Sequence, residues 1–333
     1  MGSGLRLDDG PTATARTEAM IVSAADFAEQ QAANEALRAV GRAMGVPGAV
    51  APARIRAARR RAVCVHVGAE DVAGSDWGGP VRLRRHPNTS ASALYLHVHG
   101  GGFVFGSPEE VDGPLAAIAH EANVEIYSVD YRLAPEHPFP AGRDDVGAAL
   151  HWTLDEARRR GMRGVVVGGE SAGANLALGA VLNAGTESLV ARGLLACNLS
   201  FGFYDLGLSA SARAWGQAYL ALSTPWLRWF ADCYLPDVAP DDRSASAASL
   251  LSAGLHALRG LPACLIVVGT ADPLVDDSLR LHDRLVEAGV DSTIHVAPEA
   301  PHGFIAMPTA IGRTAMALIT RWLSAHAAGT PPS

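Results

Sequence analysis

Val165-Val166-Val167-Gly168-Gly169-Glu170-Ser171-Ala172-Gly173-Ala174-Asn175-Leu176-Ala177-Leu178 is the stretch that decides the fold. Three consecutive valines read as a buried strand, and the small apolar run after the serine reads as a helix. One tight turn joins them, with Ser171 at its tip. Glycines at 169 and 173 remove the Cβ atoms that would clash where the backbone bends so sharply. The hydroxyl is then presented at the carboxyl edge of a sheet, in front of a helix start that offers unpaired amides and a partial positive charge. A bare Gly-x-Ser-x-Gly arises easily by chance in a chain with 35 glycines, so its place between strand and helix carries the signal.

Outward from that turn, strands and helices alternate. Strands are expected at 62–67, 81–83, 93–99, 124–129, 164–167, 194–197, 263–268 and 293–296. Helices are expected near 143–160, 172–184, 277–288 and 309–327, with one or two more over 18–45. Short, nearly all-apolar strands separated by helices predict an α/β fold whose mostly parallel sheet is covered on both faces. The alternation breaks once, between about 200 and 260. That stretch holds Phe201, Phe203, Tyr204, Trp215, Tyr219, Trp226, Trp229, Phe230 and Tyr234, nearly half of the chain's aromatic residues. They can wall an apolar binding site or serve as the insertion's own core, and the two roles are compatible. The first dozen residues are small and polar and read as disordered.

Composition removes several functions. The 333 residues carry a net charge of −7, and all 27 basic residues are arginine, which argues against nucleic acid as a partner. No run approaches the ~20 apolar residues that span a bilayer. The start of the chain lacks the apolar centre of a secretion signal, so a cytoplasmic location is expected. Cys64, Cys197, Cys233 and Cys264 show neither paired nor metal-like spacing.

Ser171 needs a base and an orienting acid to become a nucleophile, and both should lie at the ends of later strands. Asp272 follows the strand 263–268, and His302 follows the strand ending near 297. The order Ser, Asp, His suits an α/β-hydrolase arrangement. Asp276 and Asp277 compete with Asp272 but fall in the first turn of the next helix, where carboxylates are ordinary capping partners. His99-Gly100-Gly101-Gly102-Phe103, directly after the strand 93–99, lets backbone amides converge on a ligand. Gly100 and Gly101, with the amide of Ala172, are the expected oxyanion donors, and Gly102 could replace one of them. His99 is expected to orient this loop. Glu170 is expected to accept backbone hydrogen bonds beneath the turn. Phe103, Phe203, Trp215 and Tyr219 are the expected substrate-contacting aromatics.

Taken together, His99-Gly100-Gly101-Gly102-Phe103, Asp130-Tyr131-Arg132-Leu133-Ala134-Pro135-Glu136, Gly169-Glu170-Ser171-Ala172-Gly173, Asp272-Pro273-Leu274 and His302-Gly303-Phe304 resemble the hormone-sensitive-lipase-like branch of α/β-hydrolases. The resemblance spans about residues 90–310 and implies carboxylesterase activity. It implies a sheet of about eight strands, with core segments 61–199 and 246–333. It further implies a helical cap from residues 1–60 and 200–245, no metal or cofactor, a small-molecule ester substrate and a possible homodimer. The Asp130–Glu136 stretch is implied to brace the glycine loop. Two features depart from the family pattern: Glu170 and Ala174 flank the turn, and Asn198-Leu199-Ser200-Phe201-Gly202-Phe203 replaces a proline-containing turn. Fold alone does not fix chemistry. A lactonase, specialised deacylase or dehydratase-like enzyme is the alternative, and a ligand receptor on the same scaffold is disfavoured by the retained Asp272 and His302.

Overall fold

The computed structural model describes residues 14–44, 52, 56, 68–74, 78–217 and 220–330. Among these, nine strands build one sheet: β1 Ala15–Ala19, β2 Glu70–Val72, β3 Leu83–His86, β4 Ala93–Val98, β5 Val124–Val129, β6 Val165–Glu170, β7 Leu194–Ser200, β8 Ala263–Ala271 and β9 Ser292–Pro301. Their order is β1-β9-β8-β7-β6-β4-β5-β3-β2. Only β3 runs antiparallel to its neighbours β2 and β5; the other pairs are parallel. The helices are α1 Ala24–Met44, α2 Asp112–Glu121, α3 Ala141–Arg159, α4 Ala172–Ala184, α5 Thr186–Ala191, α6 Ala210–Ala214, α7 Thr224–Tyr234, α8 Leu255–Leu258, α9 Val275–Glu287 and α10 Ala310–Ala328.

Every residue of β4 and β5 is buried, as are the first five of β6. Such strands have no solvent face, which is why their sequences are apolar throughout instead of alternating. Cys197 and Cys264 sit opposite each other on β7 and β8, both buried and unbridged.

Two of the nine strands, β1 and β2, fall where no strand is expected. Ala15-Arg16-Thr17-Glu18-Ala19 falls where the sequence suggests the approach to a helix, yet it pairs in parallel with β9 from Ala15↔Ser292 to Ala19↔Val296. Its residues have no apolar alternation. They become a strand because the outer edge of β9 offers unpaired backbone groups, and Glu18 meets His295 at 3.3 Å. The sequence sets no bounds for helix α2, because Gly113 and Pro114 obscure its start, although proline is tolerated in a first turn. Leu115, Ile118 and Ala119 then bury one face. The expected strand 81–83 begins two residues later, at Leu83. The expected strand 62–67, Cys64 and the polar start of the chain lie outside the described residues. No helix of the described residues is long and apolar enough to cross a membrane.

The strand order fixes where chemistry can gather. The carboxyl ends of β4, β6, β8 and β9 all point to one edge of the sheet, so segments distant in sequence converge there.

Candidate active site

No loop separates β6 from α4; Ser171 alone makes the turn, with φ 55° and ψ −122°. A non-glycine residue there carries strain of about 1–3 kcal/mol, so its surroundings must hold it. Its amide donates to the Ser200 carbonyl at 3.0 Å, and its carbonyl accepts from the amides of Asn175 and Phe203 at 3.3 Å each. The flanking glycines are required by crowding: a Cβ at Gly169 or at Gly173 would stand 2.0 Å from the Val98 carbonyl oxygen.

The three predicted side chains meet. His302 Nε2 lies 2.9 Å from Ser171 Oγ, and His302 Nδ1 lies 2.9 Å from Asp272 Oδ2. An ionised carboxylate can only accept, so Nδ1 carries the proton and Nε2 of the neutral ring accepts from the hydroxyl. Asp272 is fully buried, and its second oxygen accepts the Leu274 amide at 2.8 Å. The Phe201 ring stands edge-on to the imidazole, 5.0 Å between centroids.

The rival carboxylates are occupied elsewhere. Asp276 accepts the Ser211 amide at 2.8 Å. Asp277 accepts the amides of Tyr204 and Asp205, both at 2.8 Å. Both tie the start of the 200–245 stretch to α9 instead of capping α9 itself. Burial pushes the Asp277 carboxyl up to about 7, against the downward pull of its hydrogen bonds.

The glycine loop after β4 turns through left-handed conformations at Gly101, Gly102 and Phe103. A Cβ at Gly101 would lie 2.2 Å from the Phe105 carbonyl oxygen, and one at Gly102 would enter the Phe230 ring. Among the described residues, the amides of Gly100, Gly101 and Ala172 donate to no protein acceptor. Tyr131 braces the loop: its hydroxyl donates to the His99 carbonyl at 3.0 Å, and its ring stacks on the His99 ring at 4.3 Å. The Ala134 amide donates to the Phe103 carbonyl at 2.9 Å. His99 Nδ1 donates to the Gly100 carbonyl at 2.8 Å, and burial lowers its pKa, keeping the ring neutral. His99 therefore orients the loop.

One expectation needs correction. Among the described residues the Glu170 carboxylate takes no backbone hydrogen bonds; it meets His97 Nε2 at 3.0 Å, and His97 Nδ1 meets Ser128 Oγ at 3.0 Å. The partner escapes sequence reading because β4 and β6 become neighbours only in the sheet. Phe103 and Phe203 are each 1% exposed. Phe103 stacks on Tyr234 at 3.9 Å and approaches Phe203 at 6.1 Å, so the two seal the joint between glycine loop and insertion. Trp215 is partly exposed, with Nε1 donating to the Leu222 carbonyl at 3.2 Å. Tyr219 lies outside the described residues. Sequence reading also missed Asn175, whose amide donates to the carbonyls of Phe203 and Ala248, at 2.7 and 2.9 Å, and fastens the insertion to α4.

Residues 95–306 match the family described as the alpha/beta hydrolase fold. The chain is 30% identical over 263 residues to Esterase LipI of Mycobacterium tuberculosis, covering 76% of this chain and 79% of that one. It is 33% identical over 241 residues to the ethyl acetate hydrolase of Pseudomonas putida, covering 70% and 73%. A crystal structure of a hormone-sensitive lipase from a metagenome library superposes with a TM-score of 0.76 at 26% identity, covering 90% of this chain and 98% of that one. The chain belongs to the alpha/beta hydrolase fold family, in its hormone-sensitive-lipase-like branch of ester hydrolases.

Proposed function

We propose that the protein cleaves carboxylic esters of small to medium acyl chain through an acyl-Ser171 intermediate. The observation that carries this reading is the unbroken chain from Ser171 Oγ through the His302 imidazole to Asp272, both contacts at 2.9 Å. As the hydroxyl attacks the ester carbonyl, its proton passes to His302 Nε2. Asp272 holds the other ring nitrogen and stabilises the imidazolium. The negative oxygen of the tetrahedral intermediate sits against the amides of Gly100, Gly101 and Ala172, each such donor contributing about 2.7–4 kcal/mol. His302 returns the proton to the departing alkoxide. Water, deprotonated by the same imidazole, then releases the acid and restores Ser171.

The relatives' names, an esterase and an ethyl acetate hydrolase, support a small ester as substrate. In this reading α1 and residues 200–245 form the cap over the site. Contacts of Trp229 and Phe230 on α7 with Phe105, at 5.7 and 5.8 Å between ring centroids, support the second half of that assignment.

The test is turnover of p-nitrophenyl acetate and butyrate by the wild type and by Ser171→Ala. Hydrolysis by the wild type and a fall of about 10⁴-fold or more in the variant are expected. A wild type inert toward both esters would overturn the reading.

A further inference from the structure

We propose that Asn34 and Gln30, two amide side chains on α1, are positioning residues for His302. The inference rests on His302 being the base proposed above. It starts from a question of support, because β9 ends at Pro301 and α10 begins only at Ala310. The imidazole therefore rides on a connecting segment, which something other than a ladder of strand bonds must hold in place.

A single hydrogen-bonded relay from α1 ties the last residues of β9 to the start of α10, on either side of that segment. Asn34 Nδ2 donates to the Glu299 carbonyl at 2.8 Å. Gln30 Nε2 donates to Asn34 Oδ1 at 2.9 Å. Gln30 Oε1 accepts from the Thr309 hydroxyl at 2.9 Å, and Thr309 Oγ1 in turn accepts the Gly312 amide as the N-cap of α10. Gln30 Nε2 also lies 3.9 Å from Met307 Sδ. Near the end of β9, just before the segment, Glu299 adopts φ 56°, left-handed for a non-glycine residue, and its amide donates to Thr270 Oγ1 at 2.8 Å. The strained residue is thus gripped from both sides, by β8 and by α1.

The relay has one workable polarity. Reversing the Asn34 amide would set its oxygen against the Glu299 carbonyl and its NH₂ against the NH₂ of Gln30, two repulsions in place of two bonds. Gln30 and Asn34 are four residues apart on one helix face, 0% and 2% exposed. Filling that space needs no polar atoms, and buried amides are costly unless every bond is made. What the amides add over an apolar pair is direction: they fix Glu299 and Thr309, and between them the height of the imidazole above Ser171. A general base displaced by a fraction of an ångström loses the near-attack geometry on which its contribution depends.

The experiment uses the full chain with Asn34→Leu and, as an independent break in the relay, Gln30→Met. Each is made alone and in a His302→Ala background, and all are assayed with p-nitrophenyl acetate well below their own thermal midpoints. The proposal predicts a fall of about tenfold in kcat for either variant, with KM changed less than about twofold. It also predicts no further fall when the same change is added to His302→Ala, because the relay acts through the imidazole. An unchanged kcat in a folded variant overturns it. So does an equal fold-loss in both backgrounds, which is the mark of a merely structural role. Full turnover by His302→Ala alone would instead remove the base assignment, and the relay's role with it, a result visible without touching α1.

Discussion

Among the described residues, two serine–histidine–carboxylate chains lie within one strand of each other, and the proposed mechanism uses only one of them. Ser171, His302 and Asp272 are joined at 2.9 and 2.9 Å; Ser128, His97 and Glu170 are joined at 3.0 and 3.0 Å. Distance does not separate them. Access does: Ser128 is fully buried within β5 and His97 is 1% exposed, so no substrate carbonyl can reach that hydroxyl. Ser171 stands at the sheet's carboxyl edge on a strained turn, beside amides that donate to no acceptor among the described residues. The rings are also mounted in opposite senses, with Nδ1 facing the acid in His302 and Nε2 facing it in His97. A hydrogen-bonded serine becomes a candidate nucleophile only where an oxyanion can be received.

That contrast can be broken most forcefully at the serines themselves. Ser128→Ala should leave ester turnover within about threefold of wild type, where Ser171→Ala removes about four orders of magnitude. Comparable losses from both would erase the distinction between the chains. The acids give the next test. Asp272→Asn should lower kcat by about 10³–10⁴-fold by presenting the wrong tautomer of His302, while Asp277→Asn stays within a few fold. Steady-state kinetics on the purified variants decides it.

Smaller effects fall on stability. His97→Leu leaves the Ser128 hydroxyl and the Glu170 carboxylate without their partner, a cost of about 1–3 kcal/mol. The midpoint of thermal unfolding should drop by several degrees, with kcat of the folded enzyme reduced less than about tenfold. Asp277 gives a signed pH effect. Its folded carboxyl titrates near 7, above its ordinary value, so ionisation works against the folded state. That penalty is absent below about pH 4, grows up to about pH 7 and is constant above. Asp277→Asn should therefore raise the unfolding midpoint at pH 8 and leave it unchanged near pH 4. Scanning calorimetry at the two pH values would show the opposite trend if the carboxyl were instead stabilised by its charge.

Much of the reactive chain is legible in the sequence because each member is announced by local chemistry. Ser171 sits between a valine strand and an alanine-rich helix, and Asp272 and His302 each follow an apolar run that must end at the same edge. What escapes is whatever depends on which strands become neighbours. His97 reads as one residue in an apolar strand until β4 and β6 pair. Ala15–Ala19 has no strand pattern and pairs only because β9 leaves an edge open. Gln30 and Asn34 are polar and carry no apolar signal in the sequence, yet both are buried. Phe103 and Phe203 read as substrate contacts, and their approach to each other is invisible in the sequence because 100 residues separate them.

The central claim is that of the two serines in these chains, one alone is activated. Reaction with a fluorophosphonate followed by peptide mapping tests it most directly, because the reagent favours a serine whose proton a neighbouring base takes as it attacks in an oxyanion-stabilising site. One phosphonyl group per chain, carried on Ser171 and formed far more slowly in His302→Ala, is the expected result. A folded, ester-hydrolysing protein labelled at another residue, or not at all, would contradict the account.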